Sequence, residues 1–144
     1  MNKKFRCNCP ITSALDILGD KWTLVIIKQM LIEGKQTFKD FLESDEAIAT
    51  NILSSRLKML EEFKIITKDK LPNNMKTNIY RLTQKGIALT PVIVELGIWS
   101  DANIRDFHTK ITEGEHMDAL KSDKEAFVIS LQENYKEKTG YNKG

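Results

Sequence analysis

A mainly α-helical fold with one small β-hairpin is what this sequence predicts, and three observations carry the prediction. Apolar residues recur at helical spacing through most of the chain. Two runs rich in β-branched and aromatic residues flank a polar turn near its middle. Glycine, proline and capping residues divide these stretches into discrete elements.

Pro10 suits the first turn of a helix, Cys9 its N-cap and Gly19 the position past its end, which predicts a first helix over 10–18. Asp20 caps a second helix over about 21–32, with Trp22, Val25, Ile26 and Met30 on its apolar face. Thr37 and Asp40 have capping-box spacing, and Phe38, Phe41 and Leu42 give a short third helix its buried side. A fourth helix, roughly 49–63, buries Ile52, Leu53, Leu57, Leu60 and Phe63. "IITKDKL" and "TNIYRL" flank the turn "PNNMK" as a hairpin. Thr83 opens a long helix to about Asp106, bent by Pro91. After a polar link, Ser122 and Glu125 form the capping box of a last helix that ends near Thr139, before Gly140.

With 144 residues, 41% hydrophobic and 29% charged, the chain is long enough to bury a sizeable core. Its longest aliphatic run, Leu24–Ile27, is far short of a membrane span. The basic start "MNKKFRCNCP" lacks the apolar stretch of a secretory signal, and two cysteines do not make a disulfide framework, so the expected compartment is the cytoplasm. No phosphate-binding glycine loop or nucleophile elbow occurs. Glu61-Glu62 reads as a solvated helix end, so no catalytic residue is assigned and the chain is not expected to be an enzyme. Cys7, Cys9, His108 and His116 lack the spacing of a metal site, and neither a metal nor another cofactor is expected.

Charge is uneven along the chain. Residues 49–81 carry seven basic against three acidic residues, whereas 82–144 carry eight against ten. The basic excess begins at the fourth helix, whose outer face holds Thr50, Asn51, Ser54, Ser55 and Lys58. Short hydrogen-bonding side chains are poor helix formers, so something other than helix stability selects them. Three packed helices followed by a hairpin and another helix is the winged helix-turn-helix order, and the fourth helix falls where a recognition helix belongs. Small donors and acceptors there fit a groove of double-stranded DNA, Arg56 and Lys58 suit phosphates, and Lys68, Lys70, Asn74 and Lys76 lie on the wing. The alternatives are a winged helix used only for protein contacts, and a regulator answering to a small molecule or a metal.

"CPITSALDILGDKWTLVIIKQML", then "TFKDFLES", "ILSSRLKMLEEFKII" and "YRLTQKG", resemble in order and spacing the HxlR family of bacterial transcription regulators, relatives of the MarR group. The resemblance spans about residues 7–105. It implies a cytoplasmic DNA-binding homodimer, here taken as a repressor of a palindromic site, with terminal helices building the interface. It places a DNA-binding domain with dimerisation helices at 1–106 and a helical extension at 107–144. The residues that would meet across the two-fold axis are Ile11, Leu15, Pro91, Val94, Ile98 and Trp99. Two positions depart from the family pattern: Ala49 stands where a Ser or Thr cap is usual, which would pass that role to Thr50, and Lys64 where a glycine often follows the recognition helix.

A thiol at a helix N-cap feels the positive end of the dipole, and Lys3, Lys4 and Arg6 add positive potential, so Cys9 is expected to favour the thiolate. Some regulators of the resembled family use the cysteine of this motif to sense oxidants or electrophiles, and Cys9 is the matching position. The other reading makes Cys9 a small packing residue.

Overall fold

The computed structural model describes residues 5–111 and 115–140. Among them the chain forms eight helices and one antiparallel hairpin, in two compact units that divide between Gly86 and Ile87. No helix among the described residues is long and apolar enough to cross a membrane.

The first unit holds α1 (Pro10–Leu18), α2 (Thr23–Leu31), α3 (Phe38–Leu42), α4 (Thr50–Glu62), β1 (Ile66–Leu71) and β2 (Asn74–Leu82). Its core is Ile26, Ile27 and Met30 of α2, Phe41 of α3, Leu53, Leu57 and Leu60 of α4, and Ile66, Ile79 and Leu82 of the hairpin. Each large aliphatic side chain buried this fully contributes about 1.5–3 kcal/mol. Ile52 and Phe63, also expected inside, are only half-buried. Phe41 meets Tyr80 edge-on, with ring centroids 6.4 Å apart, and the Tyr80 amide donates to the Gln36 carbonyl at 2.8 Å. The capping box of α3 forms as expected: Thr37 accepts from the Asp40 amide, and Asp40 accepts from the Thr37 amide.

Three local expectations change. The hairpin turn is tighter than "PNNMK": Leu71 pairs with Asn74, leaving Pro72 and Asn73 as the turn, and the register slips between Lys70 and Leu71. Proline supplies the fixed φ such a tight turn needs. The long helix from Thr83 is instead two, α5 (Gln84–Ile87) and α6 (Thr90–Asn103). Pro91 has no N–H for the carbonyl four residues back, which is that of Ile87. That oxygen accepts from the Thr90 hydroxyl at 2.6 Å and from Gln132 Nε2 at 3.2 Å, so the interrupted ladder is satisfied by side chains. The stretch read as a polar link contains α7 (Glu115–Ser122), anchored by buried Leu120. Ser122 therefore closes α7, and Asp123 caps α8 (Lys124–Thr139) by accepting from the Ala126 amide at 3.1 Å.

In the second unit α6 packs with α7 and α8, and Asp101 pairs with both Arg105 at 2.6 Å and Lys121 at 2.8 Å. Thr90, Ile93 and Val94 form the buried face of α6.

Non-glycine residues with positive φ stand on both sides of α4: Ala47 at 57° in the turn before it and Lys64 at 62° after it. At Lys64 the chain closes α4 with bonds from the Lys64 amide to the Glu61 carbonyl and from the Ile65 amide to the Leu60 carbonyl. An L side chain is strained in this conformation. Lys64→Gly should therefore stabilise the protein by about 1 kcal/mol in urea denaturation, with the m-value unchanged.

Candidate nucleic-acid interface and thiol site

Burying Leu53, Leu57 and Leu60 fixes the rotation of α4 and leaves Thr50, Asn51, Ser54, Ser55 and Lys58 exposed. The helix begins at Thr50, so its N-cap is Ala49, which has no side-chain bond to give; Thr50 does not take over the capping role. The first amides of α4 keep their donors clear of any side-chain cap, at the positive end of the dipole.

Arg56 stands apart from that exposed row. Its Nε donates to Asp20 Oδ2 at 2.8 Å and its Nη1 to Ser55 Oγ at 3.2 Å. Asp20 also accepts from the amides of Trp22 at 2.9 Å and Thr23 at 3.1 Å and from the Thr23 hydroxyl. Burial pushes this carboxyl up, but donation from Thr23, Arg56 and Trp22 outweighs it and brings its pKa down to about 2. The expectation that Asp20 caps α2 is corrected: α2 begins at Thr23 with Trp22 as its N-cap, and Asp20 instead accepts from the amides of Trp22 and Thr23 in the turn before it and from a residue 36 positions away.

On the hairpin, Lys68, Lys70 and Lys76 are exposed. Lys68 faces α4 across a cleft of about 280 Å³ lined by Phe38, Ser54, Leu57, Lys58, Glu61 and Tyr80. Its ammonium lies 4.0 Å from Glu61, beyond a hydrogen bond. Asn74 is turned to local use, donating to Thr77 Oγ1 at 2.9 Å and accepting from the Lys76 amide at 3.1 Å. That shapes the wing tip from which Lys76 projects.

Cys9 lies at the other end of this unit's chain, exposed, as the N-cap of α1. The Thr12 amide, then its hydroxyl, then the Ile11 amide lower the pKa of the thiol, although none reaches full capping geometry. Thr12 is the third residue of the helix that Cys9 caps, the position whose amide serves a cap side chain, so this signal was present in the sequence. Arg6 does not lend its charge freely: its amide and Nε both bond to Asp16, which staples the cysteine-bearing segment along α1. Lys3 and Lys4 lie outside the described residues. Cys7 is exposed as well. Among the described residues no cluster of three His, Cys, Asp or Glu is arranged to hold a metal; the side chain of His116 is not among those described.

Of the expected interface residues, Ile11 and Leu15 of α1 and Pro91 and Trp99 of α6 are exposed, and Ile98 is half-buried. Val94 is a correction. It is buried within the single chain at i, i+3, i+4 spacing with Thr90 and Ile93, and the apolar stripe α6 leaves exposed is Val92, Leu96 and Trp99.

A helix with a bare, polar outer face, followed by a cationic wing, defines a winged helix-turn-helix DNA-binding protein. The family model for HxlR-like helix-turn-helix matches residues 17–107. The chain is 38% identical to the HTH-type transcriptional regulator YodB of Bacillus subtilis, over 65% of this chain and 83% of that protein. Among solved structures, PA1607, described as a putative transcription factor, aligns with a TM-score of 0.66 at 30% identity, covering 76% of this chain and 74% of its own. The redox regulator HypR in its oxidized form aligns at 0.58 and 28% identity, covering 66% and 97%. The chain belongs to the HxlR-like helix-turn-helix family of transcription regulators.

Three outcomes are expected. Lys76→Ala should weaken binding to all duplexes alike and flatten the plot of log K against log salt by about 0.9, one phosphate contact. Asn51→Ala should alter discrimination at one base pair by about 1–3 kcal/mol in a panel of site variants. Thr12→Val removes one donor to the sulfur, so its Cys9 alkylation rate should rise with pH at a higher pH than in the wild type, as followed by mass spectrometry.

Proposed function

We propose that this regulator acts in the cytoplasm as a homodimeric repressor of a palindromic DNA site, and that the state of Cys9 controls its hold on DNA. The observation that carries this reading is α1. The helix is capped by the exposed Cys9, whose thiol is shifted toward the thiolate, and it leaves Ile11 and Leu15 exposed while Ile17 and Leu18 are half-buried. Ile11 and Leu15, 72% and 53% exposed, leave one apolar side of α1 bare and call for cover from another subunit. With Val92, Leu96 and Trp99 also exposed on α6, a two-fold partner is the economical source of that cover. Two reading helices about one duplex turn apart, roughly 34 Å, then match a palindrome. The domain line after residue 106 is supported by the family match, which ends at 107.

A signal at Cys9 is supported by its relatives: HypR is described as a redox regulator, and YodB has been solved in a reduced and a diamide-treated form. Modification at the start of an interface helix would change the spacing of the two reading heads. A differential of about 1.4 kcal/mol between the two states changes affinity tenfold.

Sedimentation velocity at micromolar concentration should give a dimer for the wild type and a monomer for the Ile11→Lys, Leu15→Lys double variant. Diamide should release the wild type from duplex DNA and leave Cys9→Ser bound. Equal release of both proteins, or of neither, would assign Cys9 to packing and place the signal elsewhere.

A further inference from the structure

We propose that Asp20 is a positioning residue for the outward face of α4: it holds Arg56 in an internal ion pair, so that this guanidinium orients Ser55 and does not neutralise a DNA phosphate. Asp20 sits at the joint between α1 and α2. Gly19 makes that joint tight, because a Cβ there would run into the Leu15 carbonyl oxygen. The two Asp20 oxygens take the amides of Trp22 and Thr23, the Thr23 hydroxyl and Arg56 Nε, so the carboxylate is fixed to the start of α2 before it meets Arg56. Both partners are partly withdrawn from water, with side-chain exposures of 28% for Arg56 and 25% for Asp20, where a charge-assisted bond is stronger than at a free surface. The pair is electrically neutral, which removes Arg56 from the phosphate-binding charge that exposed Lys58 supplies.

Arg56 reaches on to Ser55. Because Ser55 Oγ accepts from Nη1, its own proton is left to donate outward, which suits an acceptor edge such as guanine O6 or N7 or thymine O4. Through Arg56, Asp20 thereby sets the hydrogen-bonding sense of one outward residue of a helix whose rotation the core leucines fix.

The test compares the wild type, Arg56→Gln, Asp20→Asn and the double variant on two probes: the duplex that the wild type enriches from a randomised pool, and a scrambled duplex. Arg56→Gln should keep the salt slope within about 0.3 of the wild type, since no phosphate contact is lost, while preference for the selected duplex falls roughly tenfold. Asp20→Asn should steepen the slope by about 0.9 as Arg56 is released to a phosphate, with the same loss of preference; the double variant should return to the wild-type slope. A slope that falls by about 0.9 in Arg56→Gln would mean a direct phosphate contact and overturn the assignment. So would unchanged preference in both single variants beside a lowered melting temperature, the mark of a mere brace. Should Asp20→Asn not fold, Arg56→Gln decides alone. A wild type that enriches no duplex overturns this assignment together with DNA reading itself.

Discussion

Everything in the first unit depends on one constraint: α4 must bury Leu53, Leu57 and Leu60 and at the same time keep its opposite face bare. Burial of the three leucines fixes the helix about its own axis, and no surface contact worth a few tenths of a kilocalorie can turn it. Phe41 of α3 and the hairpin's Ile66, Ile79 and Leu82 complete the same core. The chain enters and leaves α4 through left-handed backbone at Ala47 and Lys64.

Polar groups are arranged to serve the same end. Asp40 accepts from the Thr37 amide in the capping box of α3 and Asp20 from the Trp22 and Thr23 amides at the start of α2, so both short helices open on a fixed carboxylate. Thr83 plays a comparable part after the wing. Its hydroxyl donates to the Lys64 carbonyl at 2.7 Å and accepts from the Gly86 amide at 3.3 Å, joining the end of α4 to α5. In the second unit the Ile87 carbonyl, orphaned by Pro91, is met by Thr90 and Gln132, so the bond that proline removes is replaced by side chains.

Chemistry and recognition occupy different parts of the first unit. Cys9 is exposed at the start of a helix that leaves Ile11 and Leu15 bare, whereas the polar outer row lies on a helix locked into the core. Under the proposed function, thiol chemistry and base reading fall on separate helices of the unit, a division suited to a switch.

Much of this was legible in the sequence: the span of α1, the capping box of α3, the apolar stripe of α4 with its unusual outer row, the hairpin, and the family motifs that run from Cys9-Pro10 to "YRLTQKG". All of these are set by interactions between residues three or four apart, or by strand alternation, which periodicity records directly. Tertiary structure decided the rest. It withdrew Arg56 from the solvent-facing row by pairing it with Asp20, chose Thr90, Ile93 and Val94 as the inward face of α6, and ordered a helix around Leu120 where composition reads as a link. Those choices turn on desolvation and charge pairing between residues distant in the chain, and spacing along the sequence carries no record of which distant groups will share one low-dielectric site.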